Sequence, residues 1–112
     1  YALAEAAAAD KLGRNEGEMP SIEVWGREIL SIAGQWWGSV KDGLQGAVEV
    51  AVIRNVISHG GHTFTRTGWN RMNNLGTSPT WSIGDAIPLS YDALDEYRAR
   101  LKSLLRNGQV HS

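Results

Sequence analysis

The chain has 112 residues, 42% of them hydrophobic and 21% charged, with a net charge of −1, which fits one globular domain with a modest core. That balance gives no whole-molecule attraction to a polyanion. The absence of cysteine excludes disulfides and thiolate metal sites and points to a cytoplasmic setting, and no stretch approaches the roughly 20 apolar residues of a membrane span.

Residues 1–12, with six alanines among Tyr1 to Asp10, are strong helix formers, and Gly13 suits the position that ends such a helix. Glu5, Asp10 and the lack of a basic lead-in make this opening a poor signal peptide. Tyr rather than Met stands at residue 1, so a single helical domain over residues 1–112 that is truncated at its N-terminus is expected. Residues 14–19 read as a loop. Ser21 is an N-cap for a second helix, with Ile22, Trp25, Ile29, Ile32 and Trp36 at helical spacing. Gly26 and Gly34 weaken that helix by about 1 kcal/mol each relative to Ala.

Trp36-Trp37-Gly38-Ser39 breaks the pattern, and Ser39 is placed to cap a third segment running to about His59. Val48, Val50, Ala51, Val52, Ile53, Val56 and Ile57 make its end apolar nearly all round, the mark of a central helix. The β-branched run Val48–Ile53 also fits a buried strand. A helix is preferred because the pattern extends far beyond the usual strand length of about 5–6 residues.

Gly60-Gly61 ends this element. Residues 62–88 are dense in Gly, Asn, Ser, Thr and Pro, and read as a long ordered loop or a β-hairpin. In the hairpin, Thr63–Thr67 alternates like a strand and Trp81–Ile83 pairs with it. Trp69 and Trp81 argue for order, because large aromatics bury area when they can. The last helix has the clearest start. Ser90 is its N-cap, Asp92 lies in its first turn, and Leu89 and Leu94 form a hydrophobic staple. Leu94, Tyr97, Leu101, Leu104 and Leu105 share its apolar face, and Gly108 ends it.

The architecture expected is all-α, a small up-and-down bundle of four or so helices with an excursion at about 62–88 before the last one. Five tryptophans, including the pair Trp36-Trp37, are more aromatic surface than so small a bundle needs. Interfaces are enriched in aromatics, so a homodimer is expected.

The chemistry concentrates where the central apolar run ends, at Arg54–His62. Asn55 and His59 are four apart and share a helix face, while Arg54 lies about 100° round and carries a long side chain. Histidine is the side chain whose ordinary titration falls nearest neutrality. Gly60-Gly61 leaves room beside His59 for a substrate backbone. An imidazole with a fixed guanidinium suffices for RNA phosphodiester cleavage. The histidine acts as base on the ribose 2′-hydroxyl or as acid on the leaving 5′-oxygen, and the arginine holds the phosphate. The surrounding charge agrees, since Val50 to Gly84 contains no acid but holds Arg54, Arg66 and Arg71.

Each of these residues also has a plain structural role open to it. Arg54 could pair with Glu49, Glu23 or Glu28. His59 could cap the helix end, and Asn55 could be a buried residue fixing helix register. His59 and His62 are only two metal ligands with no acid beside them, so no metal is expected, and no cofactor is required. His62, Arg66 and Arg71 are candidate substrate contacts, with Trp69 as an aromatic platform. The alternative for that group is a solvated loop over a core tryptophan.

Arg54-Asn55-x-x-x-His59 resembles the Arg-x(4–6)-His signature of the HEPN superfamily, in which a polar residue often follows the arginine. The glycines after His59 are similar to that family's pattern, as is Ile83-Gly84-Asp85-Ala86-Ile87-Pro88-Leu89-Ser90 leading into a last amphipathic helix. The resemblance covers roughly residues 40–107. It implies a dimeric helical bundle whose Arg–His motifs face a shared cleft and cleave RNA without metal, with Arg54, Asn55 and His59 as the active residues. It also implies a toxin or anti-phage defence role, with a nucleotidyltransferase-type antitoxin as partner. Two other readings stay open. One is a non-catalytic HEPN-like module that binds nucleic acid, a nucleotide or a protein partner. The other is a purely structural dimerisation domain.

Overall fold

The computed structural model describes residues 1–110, which fold into five α-helices with no named strand among them. They are α1 (Ala2–Leu12), α2 (Ile22–Ile32), α3 (Gly43–Ser58), α4 (Arg66–Asn73) and α5 (Tyr91–Asn107). Short 3-10 turns occupy Glu16–Glu18 and Trp37–Ser39. The fold class is all-α, as the sequence indicates.

The Val48–Ile53 run is helical, and α3 is the central element. It buries Gly46, Ala47, Val48, Val50, Ala51, Val52, Ile53 and Val56, residues that lie all round the helix. This needs neighbours on every side, and α2, α4 and α5 all pack on it. The α1 helix contributes Ala4, Ala8 and Ala9 to the core and leaves Leu3 exposed. From α2 come Ile22, Trp25, Ile29 and Leu30, and from α5 Leu101, Leu104 and Leu105. Gly26 has a packing reason to lack a side chain. A Cβ there would stand 2.5 Å from Cη2 of Trp37, which lies against the α2 surface.

Three expectations about boundaries are corrected. The helix α2 stops at Ile32, so Ile32 and Trp36 do not extend its buried face. They are 63% and 73% exposed, and Trp36 lies over Gly38 instead. Ser39 does not cap α3. It belongs to a 3-10 turn, Val40 is buried, and the Lys41 N–H donates to Ser103 Oγ on α5 at 2.9 Å. Helix α3 begins only after Asp42, whose left-handed backbone (φ 60) turns the chain.

The third correction concerns the excursion, where the last two residues of the expected first strand, Arg66 and Thr67, open a helix. Thr65 Oγ1 accepts from the Gly68 N–H at 3.2 Å, which caps α4 and ends the alternating run after Phe64. Gly68 lets α4 approach α3 closely, since a Cβ there would meet Val52 Cγ1 at 2.6 Å. What remains of the hairpin is a single antiparallel bridge, Thr63 to Ala86. Around it the Phe64 N–H donates to Asp85 O, the Gly84 N–H to Phe64 O, and the Ile87 N–H to His62 O. The segment that returns along 62–64 is therefore 84–87 and not Trp81–Ile83, because the Asp85 carboxylate accepts from the Ser82 N–H and turns the chain there.

Trp81 still orders the segment, as its size suggests. Its ring stacks on buried Phe64, centroid to centroid 3.9 Å and 6° from parallel, and its Nε1 donates to Glu49 on α3 at 3.1 Å. The start of α5 follows the sequence reading, with Ser90 Oγ accepting from the Ala93 N–H at 3.1 Å. Leu89 and Leu94, the expected staple, remain 48% and 41% exposed.

Candidate functional site

Helix α3 carries Arg54, Asn55 and His59 on its last turns, and all three are exposed. The Ser58 hydroxyl donates to Arg54 O at 2.7 Å. His59 is the C-cap residue, and its backbone N–H closes the helix onto Asn55 O and Val56 O. The Gly61 N–H folds back to Val56 O at 2.9 Å. The imidazole of His59 is therefore not needed to satisfy the helix end. Among the described residues its ring nitrogens make no hydrogen bond to the protein. Asn55 is exposed too, so it is not a buried register-setting residue.

Glu23, Glu28 and Glu49, the glutamates the sequence offers to Arg54, all bind other cations, while Glu5 shares a recess with Arg54 and forms no ion pair with it. Glu23 holds Arg71 in a two-pronged pair at 2.6 and 3.1 Å. Glu28 holds Arg14 at 2.8 Å, and Glu49 holds Arg100 at 2.9 Å. Arg54 instead places its guanidinium carbon 4.5 Å from the centroid of the Tyr1 ring. Among the described residues it has no carboxylate within ion-pair distance. Burial pushes the Tyr1 hydroxyl above its ordinary pKa, opposed by the Arg54 cation.

Three depressions surround this helix end. His59, Asn55, Val56, Gly61, Thr63, Thr65 and Thr67 line a groove of about 530 Å³. On another side, an apolar groove of about 390 Å³ runs between α3 and α5, with Ile53, Ile57, Leu89 and Leu94 in its walls and Arg54 and Tyr1 at its edge. A smaller recess of about 260 Å³ joins Arg54, Asn55, Ser21 and Arg71 with Glu5. Asn55 thus links the histidine groove to the arginine recess. Arg54 and His59 open onto different depressions, as five residues of helix, about 140° of rotation, require.

No family model matches this chain, and no curated protein or solved structure does so. The site therefore rests on its own geometry. His62 is exposed but does not line the histidine groove, and its carbonyl accepts from Ile87. Arg66 is exposed at the first position of α4. Arg71 is bound to Glu23, whose carboxyl lies below its usual range. Burial opposes that ionisation, but the hydrogen bonds from Arg71 and from Glu23's own helix end outweigh it. Trp69 is half-buried. Among the described residues no three His, Cys, Asp or Glu side chains converge as a metal ion would need.

The sequence reading passed over Thr63, Thr65 and Thr67 as parts of the site. Their every-other-residue spacing was visible, but which wall they face depends on how 62–64 packs along 84–87. Tyr1 was passed over as well, because nothing local ties the first residue to one on α3.

Proposed function

We propose that this chain is a metal-independent endoribonuclease of the HEPN type, working as a homodimer. The observation that carries the reading is the end of the central helix. There Arg54 forms no ion pair among the described residues, Asn55 follows it, and His59 is exposed beside an open groove. The surrounding segment, Val50 to Gly84, holds no acid that would repel a phosphate.

In the reaction, the ribose 2′-oxygen attacks phosphorus and the 5′-oxygen leaves. The products are a 2′,3′-cyclic phosphate and a 5′-hydroxyl. His59 takes the 2′-hydroxyl proton while water protonates the 5′-oxygen, or supplies a proton to the 5′-oxygen while water takes that of the 2′-hydroxyl. Arg54 lines a different depression from His59, so its long side chain swings off the Tyr1 ring and past Asn55 to stabilise the charge that grows on the non-bridging phosphate oxygens. The Asn55 amide donates to the same phosphate, and Arg66 adds local positive charge.

A second copy fits the apolar groove that Arg54 borders. Ile57, Leu89 and Leu94 are 44%, 48% and 41% exposed there. A two-fold contact on this face would bring the two Arg54 side chains together. The matching biological role is a toxin or anti-phage defence component in the cytoplasm, restrained by a nucleotidyltransferase-type antitoxin. No helix is long and apolar enough to cross a membrane among the described residues.

A second reading is favoured by one observation, that Arg54 rests on Tyr1 and opens onto a different depression from His59. On that reading the chain binds nucleic acid, a nucleotide or a protein partner without cutting. Incubating purified protein with single-stranded RNA in EDTA separates the two. Fragments ending in 2′,3′-cyclic phosphate support the nuclease. Salt-sensitive binding without fragments supports the binding module.

A further inference from the structure

Three hydroxyl side chains line the groove beside His59, and the structure gives them unequal work. Thr65 Oγ1 is committed to capping α4 through the Gly68 N–H. Thr63 and Thr67 line the same groove and are exposed, and their hydroxyls make no hydrogen bond to the protein among the described residues. Both are held on firm backbone. Thr63 is pinned by its bridge to Ala86, and Thr67 is the second residue of α4. Between Thr63 and Thr65, Phe64 turns inward and is 3% exposed, so the alternation puts its two neighbours outward.

We infer that this groove seats one phosphodiester of a single RNA strand, with Thr63 and Thr67 as positioning residues that donate to its non-bridging oxygens. The inference rests on the proposed nuclease reading and names where its substrate lies. A volume of about 530 Å³ is within the range of a small-molecule pocket and admits one nucleotide. The lining holds Asn55, His59 and three threonines with no acid, which suits an anion. A hydroxyl can donate to a phosphate oxygen without placing a charge beside His59. Val56 and Gly61, the remaining lining residues, carry no polar side chain, so the orienting contacts come from the others.

The test replaces each threonine by valine, which keeps the shape and removes the hydroxyl, and by serine, which keeps the hydroxyl. Thr63→Val and Thr67→Val should raise KM for single-stranded RNA about tenfold with kcat changed less than about twofold, as expected when a uniform binding contact is lost. Thr63→Ser and Thr67→Ser should restore KM. Thr65→Val should lower the melting temperature, because its hydroxyl serves the helix. In parallel, fluorescence anisotropy with a 2′-O-methyl strand, which cannot be cut by 2′-hydroxyl attack, reads binding alone. A chain that binds this strand without cutting RNA, with both valine variants binding about tenfold more weakly, supports the groove while removing the nuclease reading. Valine variants that bind and turn over like wild type overturn the groove. So does a wild-type chain that does not bind the strand.

Discussion

The Arg54 guanidinium carbon lies 4.5 Å from the centroid of the Tyr1 ring, while Glu23, Glu28 and Glu49 each hold a different cation. The arginine thus rests on a π-face and, among the described residues, forms no ion pair. An exposed contact of this kind contributes about 0.5–1 kcal/mol. Arg54→Ala should therefore cost no more than about 1 kcal/mol of stability, yet reduce RNA cleavage by at least about a hundredfold. Urea unfolding and initial cleavage rates measure the two separately. A large loss of stability would assign Arg54 to the scaffold instead.

Trp81 joins two contacts that can be removed one at a time, the stack on Phe64 and the hydrogen bond to Glu49. Trp81→Phe keeps most of the stack and loses the donor, and should cost about 1 kcal/mol. Trp81→Ala loses both and should cost about 3–5 kcal/mol. It should also loosen the 62–64 segment, seen as faster amide exchange at Phe64, whose N–H is bonded to Asp85. Equal effects from the two variants would mean that the stack contributes nothing.

Asp42 accepts from Arg100 Nε at 2.8 Å, and that hydrogen bond holds its carboxyl below the usual aspartate pKa. A depressed folded-state pKa gives stability that is full above the unfolded value, about 4, and is lost as pH falls through the folded value. Asp42→Asn should accordingly be less stable than wild type at neutral pH. The gap should close as the solution is acidified below about pH 4. Thermal melts across pH 2–7 follow it, and a gap independent of pH would exclude the ion pair as its source.

These elements show what the sequence exposed and what it hid. The start of α5 was legible because Ser90 and its amide partner at Ala93 are three residues apart. Helix α3 was legible because a run buried on all sides needs no partner to be named. The α4 helix was hidden. Its polar stretch Arg66–Asn73 is held by Gly68 against Val52 and by Arg71 against Glu23, and those partners lie far away in the chain. The same holds for the site. Arg54, Asn55 and His59 stand out at the end of an apolar run, whereas the free state of Arg54 depends on where three distant glutamates find their cations.

The groove between α3 and α5 exposes Ile57, Leu89 and Leu94 with Arg54 at its edge. If a second copy covers this face, Ile57→Glu should yield a monomer with unchanged helix content, read by sedimentation and circular dichroism. Burying an unpaired charge in an interface costs several kcal/mol, enough to separate a modest dimer. A wild-type chain that sediments as a monomer at high concentration would remove the shared-site arrangement.

The most direct measurement is single-turnover cleavage of a single-stranded RNA in EDTA by wild type, His59→Ala and Arg54→Ala. The imidazole supplies the proton transfer and the guanidinium the charge, so wild type should cut and each variant should be slower by at least about a hundredfold, with unchanged melting curves. Cleavage that persists at the wild-type rate in both variants would contradict the assignment of the reaction to the end of α3.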